Sequence, residues 1–196
     1  MTEGRYTAEI VRGKHIGSGT GNMSRQTEME RAEIIIGIDP DTDKSGVAQL
    51  RVAGREMETF SLSFPELLDY LQRMRQKELM EGTKVLVVAE ASWRISTNWH
   101  TQRGESVRTA ARKGKDAGRC HEVGRKIVEC ARYYGLDVKE QLPLKKIWKG
   151  KDGKITHEEI SAFIRMGTRS NQETRDAALL AWNEAGFPIR IITNKR

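Results

Sequence analysis

Three carboxylates carry the chemistry this sequence could perform. Asp39 follows the apolar run I-I-I-G-I, Glu90 ends K-V-L-V-V-A-E, and Asp176 lies within E-T-R-D-A-A-L-L-A. A buried strand normally ends in turn residues, so two strand ends that carry acids point to a shared site. Carboxylate oxygens are hard ligands for Mg²⁺, with Mn²⁺ able to substitute. Two such ions roughly 4 Å apart activate a water and stabilise the departing oxygen of an in-line phosphodiester displacement. Without a cation, clustered acids repel and raise one another's pKa. Each acid also has a plainer reading: Asp39 before Pro40 as a turn former, Glu90 as a strand terminator, Asp176 as a surface helix residue. Glu173 shares a helix face with Asp176 at i and i+3. Yet Ser170-Asn-Gln-Glu173 also reads as a capping box, in which Glu173 would do no more than close a helix end.

The elements that must position these acids follow from apolar patterning. Ile34 to Ile38 is β-branched and nearly continuous, as suits a strand buried on both faces. Gly46–Val52 and Glu56–Leu62 read as two further strands, joined by a tight turn at Ala53-Gly54. Ser63-Phe-Pro-Glu66 opens a helix through a capping box, and that helix should run to about Met80 and stop near Gly82. Lys84–Glu90 is a second buried strand. Ala91 to Asp116 reads as a long, basic, irregular loop, the kind that carries function. A helix over Ala117–Tyr134 ends at Gly135, a strand over Asp137–Leu142 follows, and Thr156 and Ser170 open the last two helices. Three strands, a helix, a strand, a helix, a strand and terminal helices predict an α/β sheet covered by helices. Residues 1–31, with the run G-S-G-T-G and no sustained periodicity, read as a flexible basic arm ahead of one domain over 32–196.

Composition narrows the partner. At 196 residues with 37% apolar and 31% charged side chains, the chain can bury a core and falls outside the disordered class. No apolar run approaches the roughly 18 residues of a membrane span, so no membrane partner is expected. Cys120 and Cys130 fall in one predicted helix with no zinc or disulfide spacing, which favours a reducing, cytoplasmic compartment. The net charge of +7 favours an anionic partner. From Arg94 to Lys154 there are 16 Lys/Arg against 7 Asp/Glu, a local excess larger than that of the whole chain. The basic surface therefore belongs to one continuous region, although a charge run can also be a merely solvated face.

These stretches resemble a family. I-I-I-G-I-D-P-D-T-D-K-S-G-V-A is similar to the first-strand signature of RuvC-type Holliday-junction resolvases, V-L-V-V-A-E to their second acidic strand, and E-T-R-D-A-A-L-L-A to their terminal D-x-x-D-A helix. Order and spacing agree from Glu33 to about Ala185. The resemblance implies an RNase H-like mixed sheet, three antiparallel strands then parallel additions, flanked by helices. It implies Asp39, Glu90, Glu173 and Asp176 as metal ligands, Mg²⁺ as cofactor, and a homodimer that nicks paired strands of four-way DNA in recombination and repair. It places an aromatic wedge at Trp93, for which a half-buried loop anchor is the alternative, with Trp99 a weaker candidate, and an active-site lysine at Lys145 or Lys146, of which Lys146 is taken. Two departures stand out: Asp41 replaces the family's Gly, and Glu173 replaces the more common Asp.

The Gly-rich loop G-K-D-G-K-I-T-H resembles one that leads to a second family lysine, but Thr156-His157 stands where that lysine is expected. His157 could take the phosphate contact, or simply occupy the helix's first turn. Arg112, Lys113, Lys115 and Arg119 are read as backbone-phosphate contacts, and so are Lys149, Lys151 and Lys154. Gly118 and Gly124 resemble the family's dimer helix, with packing on the sheet as the alternative. Competing readings keep the fold but change the substrate to flaps, forks or RNA–DNA hybrids, or drop catalysis for a nucleic-acid-binding module. An actin- or kinase-type ATPase is expected to need a second large domain.

Overall fold

The computed structural model describes residues 32–95, 104, 106–166 and 170–189. The expected arm over 1–31 and Trp99 lie outside the described residues. Five strands form one sheet: β1 (Ile34–Asp39), β2 (Ser45–Arg51), β3 (Glu56–Leu62), β4 (Val85–Glu90) and β5 (Asp137–Gln141). Their order across the sheet is β3-β2-β1-β4-β5. β1, β2 and β3 pair antiparallel, whereas β4 and β5 join parallel to β1. The mixed sheet follows from the connections. A tight turn can return β2 to β3, but parallel strands need a crossover. The helices α1 (Phe64–Glu81) and α2 (Val107–Tyr133) supply those crossovers.

Strand alternation sorts side chains into two cores. Ile34, Ile36, Ile38, Val85, Val87 and Ala89 face α1 and α2, where Leu67, Leu71 and Ile127 complete one cluster. Leu67 and Leu71 are fully buried, and each such side chain contributes about 1.5–3 kcal/mol relative to exposure. Ile35, Ala48, Leu50 and Val88 face the other way, against α4 (Gln172–Glu184) and the short α3 (His157–Ser161). By the same alternation Gly37 and Asp39 of β1, Gly46 of β2 and Glu90 of β4 belong to the α4 face. α4 meets the sheet through Ala177, Ala178 and Ala181, all fully buried. Small residues on both sides let the helix lie unusually close to the strands. A Cβ added at Gly37 would fall 2.0 Å from the Ala177 carbonyl oxygen, and one at Gly46 would fall 2.1 Å from that of Glu173.

Several local expectations hold. The Glu66 carboxylate accepts from the Ser63 N–H at 2.8 Å and from its hydroxyl at 2.7 Å, and α1 ends at Gly82 in the left-handed conformation, φ 72°. Thr156 and Glu159 form the second capping box. Two expectations need correction. α2 begins at Val107, not Ala117: the Ser106 hydroxyl caps it by accepting from the Thr109 N–H at 3.2 Å. The stretch between β4 and α2 is therefore shorter than the sequence suggests. α4 is capped by Asn171, not Ser170, because the Asn171 side chain takes the Thr174 N–H at 2.9 Å. Glu173 thus sits second in the helix and no capping box holds its carboxylate. Among the described residues no helix is long and apolar enough to cross a membrane.

Candidate active site

Parallel pairing puts the first two acids side by side. Ile38 of β1 is in register with Ala89 of β4, so Asp39 and Glu90 are the next residues on adjacent strands, whose backbones lie about 4.8 Å apart. Both fall on the α4 face, and α4 brings Asp176 down onto them across Gly37 and Gly46. The three carboxylates line one cavity of about 100 Å³, together with Lys145, Lys146 and Lys154. Leu144, Trp148, Ile155, Leu179 and Leu180 form its apolar walls. Each acid is half-buried.

The electrostatics match that crowding. Asp39 is held well above the usual carboxylate range, first by burial, then by the charges of Glu90 and Asp176, with a smaller push from Glu173. Burial and Asp176 raise Glu90, against a hydrogen bond from the Ser92 hydroxyl to Glu90 Oε1 at 3.3 Å. Burial also raises Asp176, partly offset by a hydrogen bond from Gln172. Lys154 lowers all three, and Lys146 lowers Glu90 and Asp176. Among the described residues no three His, Cys, Asp or Glu side chains are gathered into a ready-made cation cage. The acids face a shared space rather than a single point. A hard divalent cation suits that donor set: carboxylate oxygens are its preferred ligands, and a positive charge in the space would relieve the mutual repulsion that raises these pKa values.

The structure separates the remaining candidates. Glu173 is close enough to act on Asp39 but does not line the cavity. Trp93 lies in a single 3₁₀ turn, Ser92–Arg94, and its indole rests against Gly124 of α2 and near Pro40. That contact gives Gly124 a packing role, while nothing lies within 4 Å of a Cβ at Gly118. Arg112, Lys115 and Arg119 are exposed and Lys113 is half-buried, all on the first half of α2. His157 Nδ1 is 3.0 Å from the Ser170 hydroxyl and, with Lys151, lines a separate, open cleft beside the first.

Lys154, not the Thr156-His157 position, is the lysine of the Gly-rich loop that reaches the acids. A small hairpin turns it inward: Trp148 N–H donates to Gly153 O and Gly150 N–H to Lys154 O, each at 3.0 Å. The buried Glu159 carboxylate fixes the loop's base, accepting from Lys149 N–H and Thr156 N–H, each at 3.1 Å. Its positive-φ positions, Asp152 at 56° and Gly153 at 72°, are legible as a D-G turn, but the direction in which Lys154 points is not. Gln172 and Arg175, which contact Asp176 directly or at one remove, gave no sequence signal.

The sheet is ordered β3-β2-β1-β4-β5, three antiparallel strands extended by two parallel ones, with acids at the ends of β1 and β4. The fold is RNase H-like. No protein-family profile and no curated protein sequence matches the chain. Among solved structures the chain is similar to T. thermophilus RuvC in complex with a Holliday junction substrate, at 12% identity over 81% of this chain and 99% of that one, TM-score 0.45. It is also similar to the large terminase nuclease of thermophilic phage G20c, at 12% identity over 76% and 81%, TM-score 0.25. The RNase H-like assignment rests on the sheet's own order and register.

Proposed function

We propose that this chain is a divalent-metal-dependent endonuclease that cleaves phosphodiester bonds in branched DNA, resolving four-way junctions by paired nicks as a homodimer in the cytoplasm. The observation that carries the reading is the meeting of Asp39, Glu90 and Asp176, from three separate elements, in one cavity with three lysines. Asp39, Glu90 and Asp176 would hold Mg²⁺ or Mn²⁺, with Glu173 beside them. What a bound cation supplies there is Lewis-acid stabilisation of charge on the phosphate and a more acidic water.

The chain's own residues do the rest. Lys145, Lys146 and Lys154 bind non-bridging phosphate oxygens, and their charge offsets the acids so that a polyanion can approach. The apolar walls exclude bulk water, which strengthens each of these interactions. Lys149 and Lys151 on the loop, His157 beside it, and Arg112, Lys113, Lys115 and Arg119 on α2 engage flanking phosphates and set the register of the duplex arms. Trp93, three residues after Glu90, offers an aromatic surface on which stacking of a base is worth about 1–3 kcal/mol.

The test is cleavage in Mg²⁺ of four-way, forked and linear DNA and of an RNA–DNA hybrid, with Asp39→Asn alongside. The four-way substrate should be cut by symmetric nicks. Asp39→Asn should bind it with affinity close to wild type but cut at least 100-fold more slowly. Undiminished cutting by that variant would remove the site assignment, and faster cutting of fork or hybrid would reassign the substrate.

A further inference from the structure

Asp176 is the one acid of the cavity delivered by a helix rather than a strand, and its side chain is held from behind. Gln172 lies one turn earlier on the same face of α4, and its amide Nε2 donates to Asp176 Oδ1 at 2.8 Å. The amide's carbonyl, Oε1, accepts from Arg175 Nη2 at 2.9 Å. Chemistry fixes the orientation of that amide. A guanidinium only donates, so the carbonyl end must face Arg175 and the NH₂ end must face the carboxylate.

Arg175 in turn is anchored at backbone positions that do not belong to its own helix. Its Nε donates to Ile155 O at 3.0 Å, and its Nη1 donates to Ser170 O at 2.6 Å. Ile155 follows Lys154 directly and lines the same cavity. The guanidinium therefore links the lysine loop, the start of α4 and, through Gln172, the carboxylate of Asp176. One oxygen of Asp176 is occupied by this bridge, which leaves the other for the cavity that Asp176 lines.

We infer that Gln172, oriented by Arg175, is a positioning residue that presets Asp176 for a divalent cation. This rests on the nuclease reading above and deepens it. A ligand carboxylate with a fixed rotamer binds its ion without first losing side-chain freedom, and residues that orient metal ligands typically contribute 10–100-fold in metal affinity. Arg175 orients the Gln172 amide and also acts on Asp176 directly through its charge, so the part of its effect that runs through Gln172 is lost once Gln172 is gone.

The experiment is a Mn²⁺ titration of the full-length, DNA-free protein, followed by electron paramagnetic resonance or calorimetry, with melting temperature measured in chelator. Gln172→Met keeps length and helix propensity but cannot donate. It should weaken Mn²⁺ binding 10–100-fold while leaving the metal-free melting temperature near wild type. Arg175→Met should weaken Mn²⁺ binding no more than Gln172→Met, and the two losses should be clearly less than additive in the double variant. Wild-type Mn²⁺ affinity in Gln172→Met overturns the positioning role while the nuclease reading stands. Independent, additive losses in the two single variants overturn the relay. Failure of the wild-type protein to bind Mn²⁺ at all removes both this inference and the reading beneath it.

Discussion

Two helices, α4 and α2, run past the carboxylates, and they treat the sheet differently. α4 is packed against it from its first turn, with Ala177 through Trp182 buried and backbone against backbone at Gly37 and Gly46. α2 is fully buried only along its second half, at Gly124, Ile127, Val128 and Ala131, while the residues of its first half are exposed or half-buried. Cys120 lies against Asp41 and Thr42, just beyond the end of β1. The residues before it, 107–119, add about 20 Å of helix at 1.5 Å per residue. That half carries five Lys/Arg and one Asp. The difference separates two demands. Metal ligands need placement to a fraction of an ångström, which close packing gives. Phosphate contacts along a flexible polyanion need charge and reach, which an exposed helix gives at little cost in fold stability.

The comparison breaks most severely at the tight interface. In Gly37→Ala the new methyl would meet the backbone of Ala177 and Ala181. No rotamer change relieves a backbone contact, so α4 must shift. Overpacking of this kind costs about 1–3 kcal/mol or more, a fall in melting temperature of roughly 2–12 °C for a chain of this size. Cleavage should fall further than stability, because a moved α4 takes Asp176 away from Asp39. A variant that melts and cuts like wild type would show that the close approach does not position the site. The basic arm should fail in the opposite way. Arg112→Ala, Lys115→Ala and Arg119→Ala combined should leave melting unchanged but weaken DNA binding. The slope of log K against log salt should be shallower by about 0.9 for each lost phosphate contact. An unchanged slope would remove these side chains from the footprint.

What could be read without coordinates divides along the same line. Strands and capping boxes were legible because they are local: nearly continuous apolar runs mark β1 and β4, the Ala53-Gly54 turn marks β2 and β3, and Ser63-x-x-Glu66 and Thr156-x-x-Glu159 mark helix starts by their own hydrogen bonds. The acids at the ends of β1 and β4 were legible because each closes an apolar run. The start of α2 was not, since no side chain of residues 107–119 is fully buried and they carry no sustained apolar periodicity. Asn171 displaced Ser170 as the cap because Ser170 is engaged elsewhere: His157 meets its hydroxyl and Arg175 its carbonyl. The inward turn of Lys154 and the Arg175–Gln172–Asp176 bridge depend on contacts between distant segments, which no window of sequence contains.

The crowded acids predict a trade between stability and function. Asp39, Glu90 and Asp176 have pKa values raised above those of the unfolded chain. Between the ordinary carboxylate value and the raised ones, the folded state holds more protons than the unfolded state. Unfolding free energy from these groups therefore falls as pH rises through that window. Asp39→Asn should accordingly melt above wild type in chelator at neutral pH, with the gap closing as pH falls to the ordinary carboxylate range. Added Mg²⁺ should raise wild type more than the variant, by preferential binding to the folded state. A neutral-pH, metal-free variant that melts below wild type would contradict the crowding argument.

The smallest expected effect decides what the exposed half of α2 is for. Gly118 has open space where its side chain would be and sits in a helix interior, where Gly is less favourable than Ala by about 0.5–1 kcal/mol. As a free helix face, Gly118→Ala should raise the melting temperature by a few degrees, with no dependence on protein concentration. If two copies of α2 instead approach closely at Gly118, the added methyl falls in the contact. The dimer's dissociation constant should then rise and melting should become concentration-dependent, even though the isolated helix is stabilised. The same Gly→Ala change is expected to be costly at Gly37 and favourable at Gly118, and only self-association reverses the second sign. Melting measured across a hundredfold range of concentration, paired with sedimentation, separates a DNA-binding arm from a dimer seam.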